Sequence, residues 1–343
     1  MKSKLLFISF FLVHVCSIAN DGAFYAKGGN IFPMKETSIE LRKEVLTLEL
    51  KDGFVYVHVL FNFYNPAVPK ELKVGFVTPP PNGDVPDTST PGIEDFTVKV
   101  SGNDLDFQLQ QLTEPNEELG YLGNEFLYLF DVNFEQGLTK VEHTYRIRLS
   151  TLLGVVDDFD YILQTGLTWA NDQIDDFTLH IKFDEETHFS LPSQLVENPS
   201  QWQFNGTGKL AEQSCEINRN YVIRGFTKGG TLTFQETDFK PKSDIKLVTW
   251  KNWMFYYMYS RGNKSCELDK KLTSLVNRQV VKEDTRLLRN FLFAIHGYQF
   301  TSAELRAYFE QQYWYFPDPA VKNDLSILTK YERELFDYIQ TIQ

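Results

Sequence analysis

The chain has 343 residues, a length that at roughly 100–200 residues per domain suggests two or three domains. Apolar residues make up 42% and aromatic residues 15% of the sequence, so a disordered protein is excluded. The formal charge is 34 − 46 = −12, which argues against nucleic acid as a partner because phosphate binding needs clustered Lys and Arg.

The first nineteen residues have the pattern of a secretory signal peptide. Lys2 and Lys4 give a positive start, residues 5–15 form an apolar run, and small residues lead to a predicted cleavage site after Ala19. The apolar run is shorter than the roughly 20 residues that a membrane-spanning helix needs. A lipoprotein anchored through Cys16 is disfavoured because the two residues before this cysteine are not small. We therefore expect an exported protein, periplasmic or extracellular, with no transmembrane segment in the processed chain.

Cleavage changes both the charge and the cysteine count. Two lysines and no carboxylate leave with the signal, so the processed chain carries 32 − 46 = −14. Two cysteines remain, Cys215 and Cys266, and in an exported chain such a pair is expected to form a disulfide. The alternative is a pair of reduced, buried thiols.

From residue 37 to about residue 239 the hydrophobic pattern has a period of two. Residues 45–50 alternate, Lys51-Asp52-Gly53 supplies a turn, and residues 54–64 alternate again, which predicts an antiparallel hairpin. Further strands are predicted at residues 72–77, 96–100, 126–134, 141–149, 161–165, 177–183, 221–226 and 231–236.

After about residue 246 the pattern becomes helical. Leu268, Leu272 and Leu275 fall on one face of a helix, and residues 287–295 continue with the same periodicity. Gly297 is predicted to end a helix in the left-handed conformation, and residues 301–304 read as a capping box opening the next helix. A third helix is predicted from near residue 324 to the C-terminus.

These patterns define the expected fold class and domains. The class is α+β, with an N-terminal antiparallel β-sandwich region of one or two sandwiches followed by a small α-helical domain. The division is a signal at 1–19, a β-sandwich domain at 20–155, a second β domain or a continuation of the first at 156–245, and the helical domain at 246–343.

Residues 288–300, with sequence LRNFLFAIHGYQF, resemble the YARHG domain of bacterial extracellular proteins. The similarity continues through Tyr308-Phe309 and Trp314-Tyr315 and covers roughly residues 270–340. Phe293 stands where the family has Tyr and Ile295 where it has Arg, so a role that needs that guanidinium is not expected here. The resemblance implies a small helical module on an exported bacterial protein.

A second resemblance covers about residues 20–235. Residues 20–24, Gly28-Gly29, residues 63–66, residues 74–76 and residues 163–169 are similar to an exported bacterial family of β-rich proteins with no assigned function. This similarity brings no catalytic residue with it.

The spacing of the histidines and carboxylates does not indicate a catalytic site. No two histidines have the close spacing of a zinc hydrolase, and His58 and His180 lie within alternating strands, where a packing role is expected. The acidic stretch at residues 157–176 could supply a carboxylate pair or the oxygens for a divalent cation, but without the spacing of a known calcium loop. We expect no cofactor and assign no catalytic or metal-binding residue.

Aromatic residues suggest binding instead. Trp250, Trp253 and their neighbours crowd the start of the helical region, where they either bind a ligand or join the two parts of the chain. His296 precedes the helix-ending glycine. Its imidazole is expected mainly to bond a terminal carbonyl of that helix or to interact with the negative end of the helix dipole. The candidate ligand-binding residues are His296, Tyr298, Trp314 and Tyr315.

The sequence therefore predicts an exported bacterial cell-envelope protein of a non-enzymatic binding or structural type. Its expected partner is a cell-wall glycan or another envelope protein. The alternative is an exported hydrolase that uses a carboxylate pair or a divalent metal.

Overall fold

A computed structural model of the chain describes residues 22–27, 30–34, 36, 38–78, 91–111, 125–152, 155–217, 220–259 and 266–342. The predicted signal segment, with Cys16, lies outside these residues. Within them the chain is mostly β, with a region of sheets followed by a helical region. The strands are β1 (Gly22–Lys27), β2 (Asn30–Met34), β3 (Glu40–Lys51), β4 (Phe54–Asn65), β5 (Lys70–Thr78), β6 (Ile93–Val100), β7 (Asn103–Asp104), β8 (Gln108–Gln111), β9 (Phe126–Phe134), β10 (Gly137–Arg148), β11 (Ser150–Leu152), β12 (Val156–Tyr161), β13 (Ile174–Phe183), β14 (Thr187–Pro192), β15 (Gln203–Leu210), β16 (Cys215–Ile217), β17 (Asn220–Phe239) and β18 (Ile245–Trp250).

The predicted hairpin forms between β3 and β4. Their loop consists of Asp52 and Gly53, both with positive φ (53° and 77°), the conformation that a two-residue hairpin turn requires. Along β4 the buried side chains are Val55, Val57 and every second residue after them, so the alternation read from the sequence marks the inner face.

A large sheet of 13 strands contains this hairpin. Its order is β11-β12-β18-β14-β17-β13-β3-β4-β10-β6-β7, and β15 and β16 also pair with β17. Neighbouring strands are antiparallel except for β3 and β13, which run parallel. Strands from both sides of residue 155 thus share one sheet.

A second sheet of five strands, in the order β2-β1-β5-β9-β8, packs on the inner face of the large one. Aromatic pairs bridge the two sheets: the ring centroids of Phe63 and Phe134 are 5.5 Å apart, and those of Phe76 and Tyr145 are 5.9 Å apart. Side chains of both sheets belong to one continuous hydrophobic core.

Three of the predicted strands differ from the structure. The segments predicted at 221–226 and 231–236 form one strand, β17, which continues through Gly229 and Gly230, with φ values of 109° and 121°. A Cβ atom on Gly230 would lie 2.4 Å from the carbonyl oxygen of Asn205 on β15, so this glycine allows a close approach of two backbones. The strand predicted at 161–165 is wrong, because β12 ends at Tyr161 and a 3-10 helix occupies Gln164–Thr168.

The C-terminal region is helical, as expected. Gly297 ends a helix with φ 86°, which confirms the expected left-handed residue. The expected capping box at residues 301–304 is wrong, because the N-cap is Ser302, whose hydroxyl accepts from the backbone N–H of Leu305. The third helix begins at Lys330, after a 3-10 turn, and not near residue 324. The helices are α1 (Trp253–Tyr259), α2 (Glu267–Val276), α3 (Thr285–Ala294), α4 (Ala303–Glu310) and α5 (Lys330–Gln340).

The helices enclose a second hydrophobic core, to which the large sheet contributes Phe226 and Trp250. The helical region therefore packs directly on the end of the sheet formed by β14, β17 and β18. Among the described helices, none has the length and apolar character needed to cross a membrane.

Candidate ligand-binding groove

The outward face of the large sheet carries a row of hydroxyl and imidazole groups, here called the hydroxyl row. The register of the strands places these side chains side by side, one per strand. The row comprises Thr233, His180, Thr47, His58, Thr144 and Thr97. Two neighbouring pairs of this row are hydrogen-bonded: His180 Nδ1 lies 3.0 Å from Thr233 Oγ1, and the hydroxyls of Thr144 and Thr97 are 2.7 Å apart.

A second row, here called the charged row, lies two residues further along β13, β3, β4 and β10 and, because of a bulge, three residues away on β6. It consists of Lys182, Glu49, Tyr56, Arg146 and Glu94. Lys182 Nζ lies 3.8 Å from a carboxylate oxygen of Glu49. Arg146 lies 2.9 Å from Glu94, and its hydrogen bond with Tyr56 is the main cause that raises the pKa of the guanidinium. Each positive charge of this row therefore forms an ion pair with a carboxylate on a neighbouring strand.

A β-bulge adds one more carboxylate to the charged row. The register between β6 and β10 shifts between Thr144 and Arg146, where Asp95 adopts a φ of 56°. The extra residue allows both Glu94 and Asp95 to reach Arg146, each at 2.9 Å. Such bulges commonly re-aim a side chain at a functional site.

The two rows enclose a groove with a volume of about 370 Å³. Thr47, His58 and Thr144 line it on one side, and side chains of the charged row together with Asp95 line it on the other. His58 Nε2 lies 2.8 Å from Glu142, and this hydrogen bond is the main cause that lowers the pKa of Glu142. Because their partners hold these side chains in place, the groove presents fixed donors and acceptors to a ligand.

The expected packing role of His58 is wrong, since 48% of its side chain is exposed on this face. His180 lies half-buried on the same face. The sequence did contain a signal: His58 falls between the buried Val57 and Val59, so the alternation assigns it to the opposite face of β4.

A different polar cluster joins the sheet to the helices. Arg224 on β17 lies 2.7 Å from Asp269 on α2, and the hydroxyl of Tyr257 on α1 donates to the same carboxylate at 2.8 Å. The side chains of Arg224 and Asp269 are 8% and 1% exposed. The disulfide between Cys215 and Cys266, expected from the sequence, is confirmed and lies beside this pair, with its Cα atoms 5.6 Å apart. We call this cluster the junction.

The junction is held by covalent and electrostatic links together. The cysteines are separated by 51 residues, and closing a loop of that length stabilises by about 4 kcal/mol in the chain-entropy model. Next to Arg224, burial and the guanidinium charge lower the pKa of His188 to about 3, so this imidazole is neutral at physiological pH.

His296, one of the candidate ligand-binding residues, takes part in a second link. Its Nε2 lies 2.9 Å from Glu332 on α5, and the indole N–H of Trp253 on α1 donates to the same carboxylate at 2.9 Å. Burial alone would raise the pKa of Glu332, but hydrogen bonds from His296, Trp253 and the backbone of Thr329 hold it at about 2. The described partner of His296 is therefore a carboxylate and not the end of its own helix.

The other candidate ligand-binding residues lie in or against the helical core. Trp314 is 7% and Tyr315 1% exposed, and the hydroxyl of Tyr315 donates to the backbone oxygen of Tyr298 at 2.8 Å. Tyr298 itself is half-buried against Phe293 and Phe300. The structure thus brings Tyr298 and Tyr315 together as packing partners, and ligand binding by these residues stays a prediction.

A carboxyl group with a strongly raised pKa is enclosed in the core of the β region. Glu44 on β3 is fully buried, and burial raises its pKa to about 8 despite a hydrogen bond from the hydroxyl of Tyr161 at 3.3 Å. Among the described residues, the one cluster of three potential metal ligands is Cys215, Cys266 and Asp269, whose two cysteines are consumed by the disulfide.

Comparison with known proteins identifies the helical region. Residues 265–343 match the model of the YARHG domain, so the chain ends in a YARHG domain preceded by a β-rich region. Phe293, which replaces the tyrosine of the family, is buried against Phe336, where a hydroxyl would need a partner. No curated protein matches the chain.

Solved structures show the fold. A protein from Legionella pneumophila, provisionally described as a nutrient binding protein, has 18% identity and a TM-score of 0.56, with 95% of this chain and 100% of that chain covered. Leukotriene A4 hydrolase from Saccharomyces cerevisiae also matches, with 13% identity and a TM-score of 0.26, over 58% of this chain and 29% of the hydrolase chain. Aminopeptidase A from Legionella pneumophila matches with 11% identity and a TM-score of 0.27, over 63% of this chain and 22% of the aminopeptidase chain.

Proposed function

We propose that this protein is an exported, non-enzymatic binding protein of the bacterial cell envelope, and that its ligand lies in the groove between the hydroxyl row and the charged row. The observation that carries this proposal is the groove itself, whose polar side chains are held by one another and face outward. The Legionella protein that shares this fold is described as a nutrient binding protein, which also supports a binding function.

In this proposal the two parts of the chain have different tasks. The β region is one sandwich that includes residues 156–245, because β13 and β17 join the same sheet as β3 and β4. The YARHG domain is an extension of it, fastened at the junction, and the partner, a cell-wall glycan or another envelope protein, is bound by the groove. Export fits the signal-like start and the disulfide, which persists in oxidising compartments.

The competing function, a hydrolase with a carboxylate pair, has less support. A general acid needs a carboxyl group of raised pKa that reaches the substrate. Glu44 has such a pKa but is enclosed in the core, whereas Glu49 and Asp95 in the groove each lie beside a cation.

The proposal is tested by retention of the processed chain on isolated cell-wall sacculi and on immobilised envelope proteins. Tyr56→Ala and Arg146→Met change the groove, and Arg286→Met is the matched control because Arg286 forms an exposed ion pair with Glu304 on the YARHG domain. We expect the two groove variants to lose retention at least tenfold and the control to keep it. Equal retention of all three variants would contradict the proposal, and so would release of a hydrolysis product.

A further inference from the structure

The groove runs across the strands and not along them. Its lining extends from Lys182 on β13 through Glu49, Tyr56 and Arg146 to Asp95 on β6, so it crosses five strands. With neighbouring strands about 4.8 Å apart, this crossing measures about 19 Å. An occupant that uses the whole groove must therefore be an extended chain that lies perpendicular to the strands.

The central strands cannot accept a further strand. Each of β3, β4 and β10 already pairs on both sides, so a bound peptide has no free backbone ladder to join. An extended peptide laid across them would place successive side chains on one face about 6.8 Å apart, which does not match a strand spacing of about 4.8 Å. The geometry disfavours a peptide on both counts.

The side chains of the groove repeat once per strand. Along the hydroxyl row, Thr47, His58 and Thr144 follow one another at the strand spacing, and each offers a group that can donate or accept. Pyranose rings joined by β-1,4 links form a flat, extended chain that advances by close to one strand spacing per ring. Each ring would then meet the side chains of one strand.

The charge of the groove also limits the occupant. The charged side chains that line it are two cations, Lys182 and Arg146, and two carboxylates, Glu49 and Asp95. The lining therefore has no net charge that would attract a polyanion or a polycation. Sugar hydroxyls both donate and accept, and paired guanidinium and carboxylate groups offer them fixed partners of both kinds. Tyr56, near the middle of the groove, adds an aromatic ring with a polar end.

From direction, spacing and charge together, we infer that the occupant is a neutral β-1,4-linked glycan that crosses the strands with one ring per strand. This inference rests on the proposed function, because it names the ligand class of the same groove.

The experiment is calorimetric titration of the processed full-length chain with β-1,4-linked N-acetylglucosamine oligomers of two to six rings. We expect the affinity to rise with each ring up to five, one for each strand crossed, and then to level off. A five-ring oligomer of β-1,4-linked glucose should bind at least tenfold more tightly than the α-1,4-linked oligomer of the same length. Tyr56→Ala and Arg146→Met should each weaken binding of the five-ring N-acetylglucosamine oligomer at least tenfold, and Arg286→Met should leave it unchanged.

The outcomes separate this inference from the proposed function. If the α-linked oligomer binds as well as the β-linked one, or if affinity does not depend on length, the glycan inference is wrong. In that case, sacculus retention that still depends on Tyr56 and Arg146 would show that the groove nevertheless binds a ligand, as proposed. If oligomers bind but Tyr56→Ala and Arg146→Met bind them as the unchanged chain does, both the inference and the groove proposal are wrong. Urea unfolding of each variant shows whether it is folded before it is titrated.

Discussion

The groove and the junction are built from the same three kinds of group, an arginine, a carboxylate and a tyrosine. In the groove they are Arg146, Asp95 and Tyr56, with the arginine 33% exposed. In the junction they are Arg224, Asp269 and Tyr257, with the arginine 8% exposed. The chemistry is alike, and the difference in burial decides what each cluster does.

In the junction the charges are removed from water, so each depends on its partner and the cluster fixes how the YARHG domain sits on the sheet. In the groove the charges keep contact with water, so their pairing adds little to stability and leaves them available to a ligand. The junction should therefore govern stability, and the groove should govern binding.

The largest expected effect is that of Asp269→Ala. The substitution leaves Arg224 buried without its carboxylate, which typically costs about 3–5 kcal/mol. Urea unfolding of the variant measures this loss. Glu304→Ala, which breaks the exposed pair with Arg286, is the control and should cost less than about 1 kcal/mol. A loss as small as that of the control would show that the junction does not hold the two parts together.

Glu44 and Glu49 lie on opposite faces of β3, one in the core and the other in the groove. Because burial raises the pKa of Glu44 to about 8, the folded chain holds its proton between pH 4.5 and 8 while the unfolded chain releases it. Stability should therefore fall as pH rises through this window, by about 3 kcal/mol from pH 5 to pH 7. Urea unfolding should show this extra slope in the parent chain relative to Glu44→Gln, and equal slopes would contradict the burial of the charge.

Glu332 should give the opposite dependence on pH. Its pKa is held at about 2 in the folded chain, so the stability that it contributes is present above pH 4.5 and is lost as the pH falls toward 2. We expect a loss of about 2 kcal/mol between pH 4 and pH 2.5 that is absent in Glu332→Gln. Urea unfolding at these two pH values measures it, and parallel losses in both chains would show that the links to His296 and Trp253 do not depend on the charge.

The smallest expected change in stability is that of Arg146→Met. Because its guanidinium is exposed to water, its loss should leave the midpoint of urea unfolding nearly unchanged while ligand affinity falls at least tenfold. Asp269→Ala should show the reverse, with affinity kept where the variant is folded. If both variants changed stability and affinity together, the division of tasks between groove and junction would be wrong.

The elements that local pattern determines were predicted from the sequence. The hairpin turn at Asp52-Gly53, the outward position of alternate residues on β4 and the left-handed Gly297 each depend on residues close in the chain. The disulfide was predicted from the pairing of two cysteines in an exported chain. The YARHG domain was recognised from its own residues.

The groove could not be predicted, because it depends on register between distant strands. Thr47 becomes a neighbour of His180 only when β3 pairs in parallel with β13, more than 130 residues later in the chain. Glu44 faces the core because a bulge between Leu41 and Lys43 shifts the alternation of β3 by one residue. Gly229-Gly230 resembles a turn in sequence, yet the approach of β15 makes it the middle of one long strand.

The most direct test of the central claim compares two tyrosines in ligand binding. Tyr56 lies in the groove, and Tyr298 is a candidate from the sequence that packs in the YARHG domain. Affinity for the five-ring β-1,4-linked N-acetylglucosamine oligomer would be measured by calorimetry for Tyr56→Ala and Tyr298→Ala, each shown to be folded. The groove predicts at least a tenfold loss for Tyr56→Ala and no change for Tyr298→Ala. A loss with Tyr298→Ala alone would contradict it and place binding on the YARHG domain.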